Sequence, residues 1–272
     1  MDTSAKSMDA SQTDPHLIAD GVDQEPIEAN RRLFSGRLLL LISATATLYA
    51  LFHVVALNGL SIKDWTGLEI PLLPQFPLET WNFRIVHIAG ALALGLLLFS
   101  GCSFASGDAV VRKPLGYLGL ALMIPATVSL CAALIFAVEI DGGVMWNGID
   151  AGIRNRETWL FGVPLLVATT GGVLLSWLQP QARDRLAHGD VLLALCSASV
   201  AAYLIAIYGT AARNAVGTPF VPVGVAFAAT AGAMMILELT RRVAGLALVI
   251  ITGVFLLYTF TAHLLPGILA VQ

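Results

Sequence analysis

The stretch Leu237-Glu-Leu-Thr-Arg-Arg-Val-Ala-Gly-Leu-Ala-Leu-Val-Ile-Ile-Thr-Gly-Val-Phe-Leu-Leu-Tyr258 places a charged collar between two apolar runs. Glu238, Arg241 and Arg242 form the collar, and Leu264-Leu-Pro-Gly267 follows the second run. Continuous apolar runs of this length are helices when lipid is the solvent, because a helix satisfies every backbone group within itself. The same reasoning extends to the rest of the chain. It is 57% hydrophobic and only 12% charged over 272 residues, with a mean hydropathy of +0.80. No water-soluble domain of this size hides so much apolar surface, so the composition predicts an all-α polytopic membrane bundle.

Seven stretches, roughly 38–57, 84–102, 115–138, 159–178, 191–209, 220–237 and 243–265, are long enough to cross a hydrocarbon layer of ~30 Å. Lys and Arg set their direction. With the N-terminus inside, the cytoplasmic segments carry Lys6, Arg31, Arg32, Arg37, Arg112, Lys113, Arg183, Arg185, Arg241 and Arg242. The outer segments carry Lys63, Arg84, Arg154, Arg156 and Arg213, so the count is ten against five. An odd number of spans then puts the C-terminus on the periplasmic side. Three parts result: an acidic cytoplasmic tail over 1–36, a six-helix bundle over 37–242, and a seventh helix with its outer end over 243–272.

The tail holds seven acids in its first 30 residues against the single Lys6. It is too acidic and polar for a secretory leader, whose short n-region is basic, and it reads as disordered. Net charge is -3, which gives no footprint for nucleic acid. The three cysteines, Cys102, Cys131 and Cys196, match no metal or redox spacing. Outer residues 58–83 contain Ile70-Pro-Leu-Leu-Pro-Gln-Phe-Pro77 between Trp65 and Trp81. They read as a docking surface or, more simply, as a loop lying on the membrane. Residues 139–158, with Glu139, Asp141, Asp150, Arg154 and Arg156, read as a solvated loop.

Small residues supply packing. Ala226, Ala228, Ala229, Ala231, Gly232 and Ala233 thin span six, and Gly90, Gly95, Gly171 and Gly172 do the same in spans two and four. Pro125 and Pro164 mark positions for kinks. Between their ends the seven spans carry no Asp, Glu, Lys or Arg, whereas a self-sufficient ion-coupled transporter usually shows mid-membrane ionisable groups. No G-x-S-x-G, H-E-x-x-H or Walker sequence points to an enzyme. An accessory subunit fits these absences. The alternative is a redox-complex membrane anchor, with two of His53, His87 and His263 ligating haem b near the outer ends of their spans.

The collar Glu238-Leu-Thr-Arg-Arg-Val-Ala-Gly-Leu-Ala-Leu248, with Phe255-Leu-Leu-Tyr258 and Leu265-Pro-Gly267, is similar to the small-subunit region of TRAP transporters, in particular TAXI-type fused permeases. Arg84-Ile-Val-His87 resembles the start of that family's second span, and Asp190 resembles its aspartate before a Leu/Ala-rich helix. The resemblance covers spans one, two, five, six and seven. It implies an inner-membrane scaffold bracing a large permease subunit that imports organic acids with a periplasmic TAXI-like solute-binding protein. Its four spans before the linker helix are six here, so 115–178 reads as an inserted helical pair. No large-subunit sequence follows Gln272, so the expectation is either a permease split between genes or a separate large subunit bound through span seven. Candidate contacts with partner or lipid are Glu238, Arg241, Arg242, Gly245, Arg84 and His87. Arg241 and Arg242 are expected to anchor the inner face, meeting lipid phosphates or acidic groups of a partner, and the collar is expected to fix the bend between spans six and seven.

Overall fold

A computed structural model describes residues 30–58, 80–102, 104, 113–179, 181–208, 218 and 220–262. Among them are seven helices: α1 Gly36–Leu57, α2 Thr80–Leu98, α3 Lys113–Asp141, α4 Ala151–Leu178, α5 His188–Tyr208, α6 Val223–Ala244 and α7 Leu246–Thr261. The described residues contain no strand, only the isolated bridges Arg31 with Phe99 and Phe104 with Gln181. Six helices are long and apolar enough to cross a membrane, so the chain is a polytopic helical bundle. The seventh, α7, has 16 described residues, about 24 Å of helix. The acidic tail to residue 29, the proline-rich segment 59–79, His263 and the Leu264–Gly267 motif lie outside the described residues.

Helix α5 is the hub, packing on α2, α3, α4 and α6. The core along it contains Leu96, Phe136, Phe161, Leu165, Leu192, Leu193 and Met235, all fully buried. In α6 the buried positions are Gly224, Ala228, Ala231, Met235, Glu238 and Arg242. Steps of four, three, four, three, four keep one seam facing the bundle. Of the small residues expected there, Ala228 and Ala231 lie in the seam, while Ala226, Ala229 and Ala233 are exposed. The glycines expected to admit neighbours do so. A Cβ on Gly90 would lie 2.3 Å from the Tyr49 ring, on Gly95 2.8 Å from Leu239, on Gly171 2.4 Å from Leu122, and on Gly172 2.8 Å from Leu193. In contrast α1 packs mainly on α2 and α7 mainly on α6, and both leave apolar side chains exposed all round. Such faces belong to lipid or to a partner helix.

Two expectations are corrected. Residues 139–158 are not a solvated loop. Helix α3 runs to Asp141 and α4 begins at Ala151, so the connection is 142–150. Within it Trp146 is buried against Phe136, and the glycine at 148 is pressed so close that a Cβ would lie 2.4 Å from the Val221 carbonyl oxygen. The bundle also holds a carboxylate inside a span, Glu157, fully buried in α4. A π-helical stretch, Glu157–Gly162, interrupts α4 there, just ahead of Pro164, which has no N–H to give a preceding carbonyl. The charge density of 139–158 disguised these helix ends: Asp141, Asp150 and Arg154 are exposed as expected, but Glu139 pairs with Arg156 and Glu157 is buried.

The glycine contacts make a direct prediction. Replacing Gly95 by Ile forces α2 away from Leu239 and should cost about 1–3 kcal/mol, seen as a lower unfolding temperature in detergent. Gly253→Ala in α7, where an added Cβ meets nothing within 4 Å, should leave that temperature unchanged or slightly higher.

Candidate functional site

The last two turns of α6 put Glu238, Arg241 and Arg242 at i, i+3 and i+4, on one helix face. Glu238 is saturated. Its Oε1 accepts from Arg242 Nε at 2.8 Å, Arg241 Nη2 at 2.8 Å and Ser176 Oγ at 2.6 Å. Its Oε2 accepts from Arg241 Nε at 2.8 Å and Trp177 Nε1 at 3.0 Å. The Arg241 guanidinium lies 4.9 Å from the Trp177 ring centre and donates to the Gly101 carbonyl at 2.6 Å.

Arg242 carries the network inward. Its Nη1 donates to Asp190 Oδ1 at 2.7 Å and to the end carbonyls of α2, Leu96 at 2.9 Å and Phe99 at 2.8 Å. Those carbonyls have no partner inside their own helix, so the arginine is their cap. The other Asp190 oxygen accepts from Arg32, which also donates to Gln181 and to the carbonyls of Ala182 and Arg185. Gln181 in turn accepts from Ser100 Oγ at 2.6 Å. Asn30 Nδ2 donates to the Arg242 carbonyl at 3.3 Å. Five pieces of chain thus meet in one place: the segment before α1, the exits of α2 and α4, the first turn of α5 and the end of α6.

Asp190, Arg32 and Arg242 have fully buried side chains, and Glu238 is 3% exposed. Three arginines face two carboxylates, leaving one surplus positive charge. Donors are in surplus too: Arg32 Nε, Arg242 Nη2 and Gln181 Nε2 are buried without a protein partner. Burial pulls the Arg32 guanidinium below its ordinary range, and Asp190 opposes that pull. The guanidinium stays charged, as arginine does. Beside it, burial pushes the Cys102 thiol up, and the thiol donates to the Ser176 carbonyl at 2.9 Å.

These positions correct the sequence expectation for the collar. Arg242 is enclosed by protein rather than facing lipid phosphates, and Arg241 keeps 18% of its side chain exposed. The collar ties α6 to α2, α4 and α5. The bend itself sits at Gly245, whose φ of 86° is a conformation that a side chain strains. Arg32, Gln181, Ser176 and Trp177 were missed as site residues. In the sequence Arg32 reads only as a topology charge, and Asp190 only as an acid at the start of its helix.

The other candidates lie at the opposite end of the bundle and do not join the collar. Arg84 is exposed with its guanidinium 5.6 Å from the Trp81 ring centre. His87 Nδ1 and His53 Nε2 are 2.7 Å apart, and Tyr49 Oη donates to the His87 carbonyl at 2.6 Å. His53 Nδ1 faces the Tyr49 carbonyl at 2.7 Å, so that nitrogen carries the proton. Two axial imidazoles need about 4 Å between nitrogens, twice a metal–imidazole bond of ~2.0–2.1 Å. His53 and His87 form a hydrogen bond instead. Among the described residues no three His, Cys, Asp or Glu converge as metal ligands.

Glu157 makes a second polar centre at this end. It accepts from Trp146 Nε1 at 2.7 Å, Tyr203 Oη at 2.6 Å and the Gly224 backbone N–H at 3.1 Å. It joins the α3–α4 connection, α5 and the start of α6. Nearby, Arg156 clasps Glu139 through both carboxylate oxygens at 2.9 and 2.7 Å, its guanidinium over Phe136.

Comparison with protein-family models, with curated proteins and with solved structures finds no match to this chain.

Removing one partner of a buried pair leaves its charge bare. Asp190→Ala should therefore destabilise the protein by about 3–5 kcal/mol, measured by thermal or chemical unfolding in detergent. Glu139→Gln, acting on a partly exposed pair, should cost under about 1 kcal/mol. Equal effects of the two substitutions would remove the collar's standing as the main tie.

Proposed function

We propose that the chain is an accessory membrane subunit of a TRAP-type secondary transporter, bracing a separate large permease subunit that imports organic acids delivered by a periplasmic TAXI-like binding protein. One observation carries the reading: the buried carboxylates of the bundle are consumed in tying its own helices together. Both Glu238 oxygens and both Asp190 oxygens are occupied by protein donors, as are both Glu157 oxygens. Carboxylates so fully engaged stiffen a scaffold and leave little for a translocated ion. The apolar sides of α1 and α7 remain for a partner's helices. The chain has no catalytic role in this reading.

The charge distribution supports a bacterial inner-membrane protein with a cytoplasmic N-terminus. Arg31, Arg32, Arg37, Arg183, Arg185, Arg241 and Arg242 gather at one end of the bundle, whereas Arg84, Arg154 and Arg156 lie at the other. With the first group inside, α7 leads outward, as a linker helix would.

Affinity purification from native membranes, followed by mass spectrometry, tests the proposal. The expected companion is a large polytopic permease, with a soluble binding protein captured after crosslinking. Arginine substitutions at Leu256 and Phe260, exposed on α7, should reduce the recovered companion at least several-fold while the isolated chain stays folded. Solute flux from this chain alone in liposomes would reject the accessory role. A Soret absorbance would favour the redox alternative.

A further inference from the structure

The end of the bundle that holds the buried collar also carries an exposed basic face. Arg31, Arg37, Arg183 and Arg185 lie on its surface, and the acid described among them is Asp184, 3.8 Å from Arg185. Hydrogen bonds bring two of these arginines together, and Arg185 follows two residues on. The Leu33 N–H donates to the Arg183 carbonyl at 2.9 Å, and Arg183 Nε donates to the Arg31 carbonyl at 3.3 Å. The face adds to the surplus positive charge of the collar beneath it.

The chain enters this face from residues 1–29, which hold Asp2, Asp9, Asp14, Asp20, Asp23, Glu25 and Glu28 against Lys6. Seven acids less one lysine is an excess of six negative side chains, joined directly to Asn30 and Arg31. Twenty-nine residues of extended chain span up to about 100 Å, so the whole face lies within the tail's reach. Tethering raises the tail's local concentration to the millimolar range, where weak ion pairs suffice for occupancy.

We infer that the acidic N-terminal tail docks on the arginine face of its own bundle and occupies it against other anions. The occupant is the tail rather than lipid headgroups, because the tail is covalently held at the face and carries the complementary charge. The contact is electrostatic, weakens with salt, and holds the face against anionic headgroups. The inference stands without the transporter reading, since it depends only on which residues share one end of the bundle.

The test is the rate at which a protease specific for bonds preceding aspartate cuts the tail at Asp9, Asp14, Asp20 and Asp23. It uses the full chain in zwitterionic nanodiscs and a free peptide of residues 1–29 as the reference. At about 50 mM salt the tethered tail should be cut about five- to tenfold more slowly than the peptide, and at about 500 mM the two rates should converge as screening shortens the electrostatic reach. The triple variant R31E/R37E/R185E should lose the protection at low salt. Arg185→Glu alone, at a side chain 83% exposed, should lose part of it without risk to folding. Equal rates for tail and peptide at low salt overturn the inference, and so does protection that persists in the triple variant. Loss of protection on adding anionic lipid to the nanodiscs also overturns it, because headgroups would then be the occupant.

Discussion

The contact between Arg242 and Asp190 is the one on which the rest of this bundle depends. Both side chains are fully buried, and each has a second charged neighbour, Glu238 for the arginine and Arg32 for the aspartate. Taking such ions out of water costs several kcal/mol per ion, and their attraction offsets that cost to the extent that the remaining hydrogen-bonding positions are filled. Filling them is what recruits other parts of the chain. The carbonyls of Leu96 and Phe99 come from the exit of α2, Ser176 and Trp177 from the end of α4, and Gln181 from the connection to α5. The price of one buried pair therefore dictates where five chain segments meet.

The apolar core then follows from the seam that the pair anchors. With Arg242 and Glu238 pointed inward, the positions one, two and three turns earlier on the same face, Met235, Ala231 and Ala228, face the core of the bundle. Small side chains at two of these three positions let the helices come close, where dispersion rather than hydration supplies the attraction in lipid. At the far end of the seam Gly224 offers its backbone N–H to Glu157, and a Cβ there would lie 2.3 Å from the Tyr203 hydroxyl. A glycine at that position is a steric requirement of the second polar centre.

What the sequence makes legible is what depends on one helix at a time. Length and composition locate the helices, and the spacing of Glu238, Arg241 and Arg242 already allows their mutual pairing. The glycines Gly90, Gly95, Gly171 and Gly172 announce close approach. Partners from distant segments are not legible in this way: Arg32 and Asp190 are 158 positions apart, and no local rule joins them. Glu157 escaped for a different reason. It lies in a stretch rich in charge and aromatic residues, which on its own reads as water-exposed. Its burial requires Trp146, Tyr203 and Gly224, brought from three other segments. The charge count behind the expected orientation is indifferent to burial, so it treats the buried Arg32 and Arg242 like the exposed Arg31 and Arg185.

The two polar centres stand at different levels of the same helix. Along α4, Ser176 touches the collar and Glu157 forms the other centre, and 19 residues of helix separate them by about 28 Å. That is close to the ~30 Å thickness of a bilayer's hydrocarbon layer. Helices α4, α5 and α6 are therefore pinned to one another at two levels about one hydrocarbon thickness apart, so tilting one against the others stretches hydrogen bonds at one centre or both.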